Sequence, residues 1–142
     1  MIREYQAKDI ESVLDIWLTA SIQAHDFVGA EFWQSQVSNM RDIYIPASKT
    51  YIFEKNGEVT GFYSLHQNLL AAIFVSPANQ GQGMGKQLIA HAKGQCTDLT
   101  LNVYKENQTA YRFYLSQGFS LDNEHRCEHT GCAEYAMSMS CK

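Results

Sequence analysis

The stretch Ile73–Leu88 reads I-F-V-S-P-A-N-Q-G-Q-G-M-G-K-Q-L. A short apolar run stops at Pro77. Glycines at positions 81, 83 and 85 follow, and apolar residues then resume at helical spacing. Strand, glycine loop and helix start make a ready anion site, because the first turn of a helix carries free N–H donors and partial positive charge.

Working outward, Met84, Leu88, Ile89 and Ala92 form one helical face downstream of the loop. Leu99–Tyr104 reads as a strand, and Asn107 as the N-cap of a further helix that Gly118 closes in the left-handed conformation. Phe119–Met139 reads as two strands that turn at His129-Thr130-Gly131. Upstream, Leu69–Val75 is a continuous apolar run, the pattern of a strand buried on both faces. Asn56-Gly57 between Thr50–Glu54 and Val59–Leu65 marks a hairpin. Met1–Tyr5 reads as a first strand. Ile10, Val13, Leu14, Trp17 and Leu18 stripe a first helix. A second helix is expected over residues 30–44, with Phe32, Trp33, Val37, Met40 and Ile43 inward, stopping before Pro46. Ala24-His25-Asp26-Phe27 connects the two helices.

The expected order is βααβββαβαββ. It gives an α/β mixed sheet of about seven strands and four helices, because the crossover through the glycine loop forces a parallel pair into an antiparallel meander. Its 142 residues suit a single domain over 1–142, without linker or repeat. A net charge of -4 and an isoelectric point near 5.7 argue against non-specific nucleic-acid binding and give no support for anionic membranes. No apolar run is long enough to span a bilayer, and Met1-Ile2-Arg3-Glu4 opens no signal peptide. The expectation is a cytoplasmic protein with Cys96, Cys127, Cys132 and Cys141 reduced.

The spacing of the loop excludes two common phosphate motifs. Walker A needs Lys then Ser or Thr, whereas Lys86 is followed by Gln87. The dinucleotide fingerprint needs a further glycine where Lys86 stands, on the first strand of a larger sheet. Gln80-x-x-Gly83-x-Gly85, with Val75-Ser76-Pro77 upstream, instead resembles the acetyl-CoA motif of the GNAT superfamily of N-acetyltransferases. A second block, Asn107-Gln108-Thr109-Ala110-Tyr111-Arg112-Phe113-Tyr114 closing with Gly118-Phe119, resembles that family's N-x-x-A-x-x-F-Y…G-F. The two motifs stand in order and one strand apart, and the short single-domain form with its His25-Asp26-Phe27 region is similar to small bacterial members. Many members carry Arg where this chain has Gln80.

The resemblance implies direct transfer of an acetyl group from acetyl-CoA, the cosubstrate, to a primary amine. A protein lysine or N-terminus is favoured slightly over a small-molecule amine, and a non-catalytic acyl-CoA sensor is the competing class. The backbone at Ile73 and Val75 is implied to hold the pantetheine arm. Gln82, Gly83, Gly85 and Lys86 would surround the pyrophosphate, Gly81 would permit the turn, and Gln80 and Met84 complete the cofactor-binding loop. Tyr114 is implied as general acid, and Asn107 as a cofactor contact. Taken alone, Tyr114 reads first as a core aromatic, since aromatics at helical spacing usually pack, and Asn107 reads equally as a helix cap.

The base is open among Glu106, His66, His25, Glu31 and a water chain. His25 has a near-neutral reference pKa that suits the task, and its plainer reading is a surface or capping histidine. His25, Phe27, His66 and Asn102 are the acceptor-side candidates. Asn102 stands in an apolar strand, where a buried amide would need a partner. His125-x-Cys127-x-His129-x-x-Cys132 is too tightly spaced for the usual zinc loops, so no metal is expected. The partner is then an amine-bearing acceptor, and the chain a monomer or homodimer.

Overall fold

The computed structural model describes residues 1–141. Its elements are β1 (Ile2–Glu4), α1 (Ile10–Ala24), α2 (Ala30–Ser35), β2 (Lys49–Lys55), β3 (Glu58–His66), β4 (Leu69–Val75), α3 (Met84–Lys93), β5 (Asp98–Tyr104), α4 (Gln108–Ser116), β6 (Ser120–Arg126) and β7 (Ala133–Ser140). This is the expected order. One seven-stranded sheet runs β1-β2-β3-β4-β5-β7-β6, and only β4 and β5 pair in parallel. Asn56 and Gly57 both have positive φ, 54° and 80°, as the tight β2–β3 turn demands.

Strand alternation sorts the core into two halves. Ile52 and Phe62 pack with Val13, Leu14, Trp17 and Trp33 of α1 and α2 on one face. Tyr51, Phe53, Tyr63 and Leu65 pack with Leu88, Ile89 and Ala92 of α3 on the other. Leu88 and Ile89 are wholly buried, each worth about 1.5–3 kcal/mol of transfer free energy.

Three local expectations change. The second helix is not continuous to Tyr44. It breaks at Gln36, turns again over Val37–Asn39, widens into a π turn over Met40–Tyr44, and continues through Pro46 over Ile45–Ala47. Pro46 lies in the first positions of that last turn, where its missing N–H is not needed. The wider π turn shifts the phase of the stripe. Ile43 therefore points to solvent at 55% exposure, while Ile45 takes the buried place at 4%. Nor is β4 buried on both faces, since only Leu70 is fully covered and Ala71 is exposed. The β4–β5 ladder has a single rung, Leu69 opposite Thr100, and beyond it the strands part. For the same reason Asn102, expected to be buried, is exposed.

Candidate active site

The parting of β4 and β5 opens a cleft of about 1400 Å³. Ser76 N–H donates to Thr60 O on β3 at 2.8 Å. Alternation along the strand therefore turns the backbone groups of Ile73 and Val75 away from β3, toward the gap. Gln80 reaches back from the loop, its Nε2 donating to Val75 O at 3.1 Å.

The glycine loop ends the cleft. Gly81 and Gly83 have φ of 80° and 79°, which side-chain-bearing residues rarely adopt. Gly83 is the N-cap of α3, and Gln87 N–H is the first to bond within the helix, to Gly83 O at 3.2 Å. The N–H groups of Met84, Gly85 and Lys86 are thus left for a ligand. Gly81, Gly83, Met84, Gly85 and Lys86 line the cleft. Gln82 does not. Its Oε1 accepts from Lys55 Nζ at 3.1 Å, which turns it toward the β2–β3 hairpin. A Cβ on Gly85 would meet the Phe113 ring at 3.5 Å, an ordinary packing distance, so α3 and α4 face each other here.

Tyr114 projects from α4 between the rings of Phe113 (centroids 5.5 Å apart) and Phe119 (5.8 Å), and it lines the cleft. Burial pushes its hydroxyl above the ordinary tyrosine value. Asn107 caps α4, its Oδ1 accepting from Ala110 N at 3.2 Å.

The acceptor-side candidates divide. His25 is the C-cap of α1, its N–H donating to Ser21 O at 2.9 Å, but it is not a surface residue. It is 9% exposed and wedged against Trp33, Phe27 and Tyr104, with centroids 5.3, 5.9 and 5.0 Å away. Its Nε2 faces Asn107 Nδ2 at 3.2 Å. Burial lowers its pKa to about 4, so it is not the near-neutral base its reference value suggests. Phe27 packs on Tyr104 (5.5 Å) without lining the cleft. Asn102, Glu106 and His66 line it, and His66 Nδ1 contacts Ala47 O at 3.3 Å. Glu31 is exposed on α2 and outside the lining.

Sequence reasoning passed over Trp33, Tyr104 and Glu134, which also line the cleft. The alternation that buries Leu99, Leu101 and Val103 on one face places Thr100, Asn102 and Tyr104 on the other, and that signal would have found Tyr104. The His/Cys cluster does not converge. His125 pairs with Glu134 at 3.1 Å, Tyr104 donates to Cys127 Sγ at 3.7 Å, and Cys132 Sγ turns to Thr130 O. Among the described residues no group of three His, Cys, Asp or Glu is arranged to hold a metal, and no helix is long and apolar enough to cross a membrane.

An open strand edge leading to a helix N-terminus suits a long ligand with amides at one end and phosphates at the other. Known proteins resemble this chain over most of its length. The chain is 34% identical over 122 residues to the peptidyl-lysine N-acetyltransferase YiaC of Escherichia coli, covering 85% of this chain and 84% of that protein. It is 26% identical over 131 residues to the peptidyl-lysine N-acetyltransferase YjaB of the same organism, covering 92% and 88%. The solution structure of apo YjaB superposes with a TM-score of 0.85 over 97% of this chain and 95% of that one. The PaiA N-acetyltransferase of Thermoplasma acidophilum, solved with coenzyme A, gives 0.81 at 15% identity over 99% and 98%. The acetyltransferase (GNAT) domain model matches residues 6–141, and the chain belongs to that acetyltransferase family.

Proposed function

We propose that the chain transfers an acetyl group from acetyl-CoA to the side-chain amine of a protein lysine, with Tyr114 as general acid. The observation that carries this reading is one continuous cleft. Its lining joins the open β4 edge, the glycine loop, Tyr114 and the aromatic wall around Trp33 and Tyr104. Acetyl-CoA fits those groups, and when bound it supplies an activated acetyl group. The backbone groups of Ile73 and the N–H of Val75, turned to the gap, match the amides of an extended arm, in the manner of an added strand. The N–H groups of Met84, Gly85 and Lys86, with the Lys86 ammonium, match a pyrophosphate. Gln80 supplies no positive charge, and its amide is already occupied by the Val75 carbonyl.

The attacking amine must be neutral and the departing sulfur needs a proton. The Tyr114 hydroxyl, held protonated by its surroundings, is suited to give that proton. Glu106 and His66 line the cleft and are suited to take the amine's. Lysine is favoured as acceptor by the names of YiaC and YjaB. The lining also favours it: aromatic faces take an alkyl stem and its ammonium, and the carboxylates of Glu106 and Glu134 attract the charge. Four unpaired cysteines agree with action in a reducing cytoplasm.

The test is acetyl transfer to three acceptor sets. These are a lysine peptide blocked at its N-terminus, a peptide whose only amine is its N-terminus, and a panel of small amines. Acetyl on the lysine Nζ is expected. Transfer to the other sets alone would reassign the acceptor. Tight acetyl-CoA binding without transfer to any of them would make the chain a sensor. Failure to bind acetyl-CoA would overturn the whole reading.

A further inference from the structure

The cleft has two walls that are distant in sequence, and one hydrogen bond joins them. His25 ends α1 on the acceptor side, and Asn107 begins α4, the helix of Tyr114, 82 positions later. Asn107 has two amide atoms to place. The Ala110 N–H can only donate, so it fixes Oδ1 at the helix cap. Nδ2 must then face His25, which leaves His25 Nε2 as the acceptor and puts the imidazole proton on Nδ1. The Nδ1 atom is buried and unpartnered. An unpaired buried donor costs about 1–3 kcal/mol, so among the described residues the Asn107 bond is the one polar contact that orients this ring.

We propose that His25 is a positioning residue for the transfer reaction: its Nε2 accepts from Asn107 and thereby fixes the first turn of α4, and with it Tyr114, from the acceptor side of the cleft. This rests on the acetyl-transfer reading above. Aromatic packing by Trp33, Phe27 and Tyr104 holds the ring in the plane this bond requires. The same surroundings keep the ring neutral near pH 7, and only the neutral ring has a lone pair to offer. A further consequence is that Asn107 is oriented before the cofactor arrives. One N–H and one lone pair of its amide stay free for a ligand.

Two variants separate the acceptor atom from the ring. His25→Phe keeps an aromatic ring in the cluster but offers nothing to Asn107. His25→Gln removes the ring and offers Oε1. With wild-type transfer established and both variants melting as folded proteins, His25→Phe is expected to lower kcat about tenfold, the worth of one such bond. His25→Gln should stay within about threefold of wild type. Equal kcat in the two variants would overturn the proposal, and so would a loss confined to the acceptor KM, which marks a plain substrate contact. A second measurement needs no variant and no turnover. Nitrogen-15 spectra of the wild-type imidazole should show Nδ1 protonated and Nε2 bare, and the opposite tautomer would refute the proposal even if acetyl transfer is confirmed. If wild type transfers no acetyl group but shows this tautomer, the functional reading falls and the His25–Asn107 bond stands as a structural one.

Discussion

Tyr114 sits between two phenylalanine rings and makes no side-chain hydrogen bond among the described residues. Its hydroxyl therefore contributes little to folding, and removing it isolates chemistry from stability. Tyr114→Phe should leave the melting temperature and the acetyl-CoA KM near wild type and lower kcat roughly 100-fold, the lower end of what a positioned acid contributes. Steady-state kinetics on both proteins checks this. The pH dependence follows from the direction of its shift. A hydroxyl raised above its ordinary value of about 10 stays protonated, so kcat should show no basic decline from Tyr114 below that pH. The place of this residue on the cleft was legible because its motif spacing survives in the linear chain. The environment of His25 was not. Its burial depends on Trp33, Phe27 and Tyr104, and no local pattern ties Tyr104 to the other two.

At the scale of elements, β1 and the start of α1 are clamped through one carboxylate. Arg3 donates to both Asp9 oxygens, at 2.8 and 2.9 Å, and to Glu54 of β2 at 3.1 Å, while Gln6 N–H adds a bond to Asp9. The Arg3 hydrogen bonds, acting against burial, hold Asp9 below the usual carboxylate range. The folded chain thus binds that proton less readily than the unfolded chain. The stability Asp9 contributes is complete above its unfolded pKa of about 3.9 and is lost as pH falls through the lower folded value. Asp9→Asn should cost about 2–3 kcal/mol at pH 7 and flatten the acid side of the stability curve, as urea titrations across pH 3–7 would show. Element order was readable throughout, because periods of 2 and 3.6 and the turn residues all agree along this chain. Residues 30–47 are the exception. Their stripe reads as one helix, but a π turn adds a residue per turn and exchanges Ile43 for Ile45 at the core, which tertiary packing decides. The exposure of β4 was hidden for a related reason. An apolar run looks the same whether its edge is paired or waiting for a ligand.

Across the whole molecule, the sheet is two ladders joined at one rung, Leu69 opposite Thr100. A ligand bound in the gap bridges the two ladders. Acetyl-CoA at about 100 times its Kd should add about 2.7 kcal/mol and raise Tm by roughly 8 °C. Amide exchange should slow most at Ile73 and Val75, whose N–H groups face the gap; equal protection with and without ligand would place the cofactor elsewhere. The same opening has a consequence for solubility. Leu69–Val75 is seven residues without charge, proline or glycine, rich in branched and aromatic side chains, the composition of a segment that stacks into fibrils. Most strands of that kind are sealed between neighbours. This one keeps a free edge inside the sheet, and Gln80, bound to the Val75 carbonyl, covers only its end. An acetyl donor occupying the groove would therefore also act as a chaperone for its own enzyme, and cells short of it would hold this chain in its most self-adhesive form.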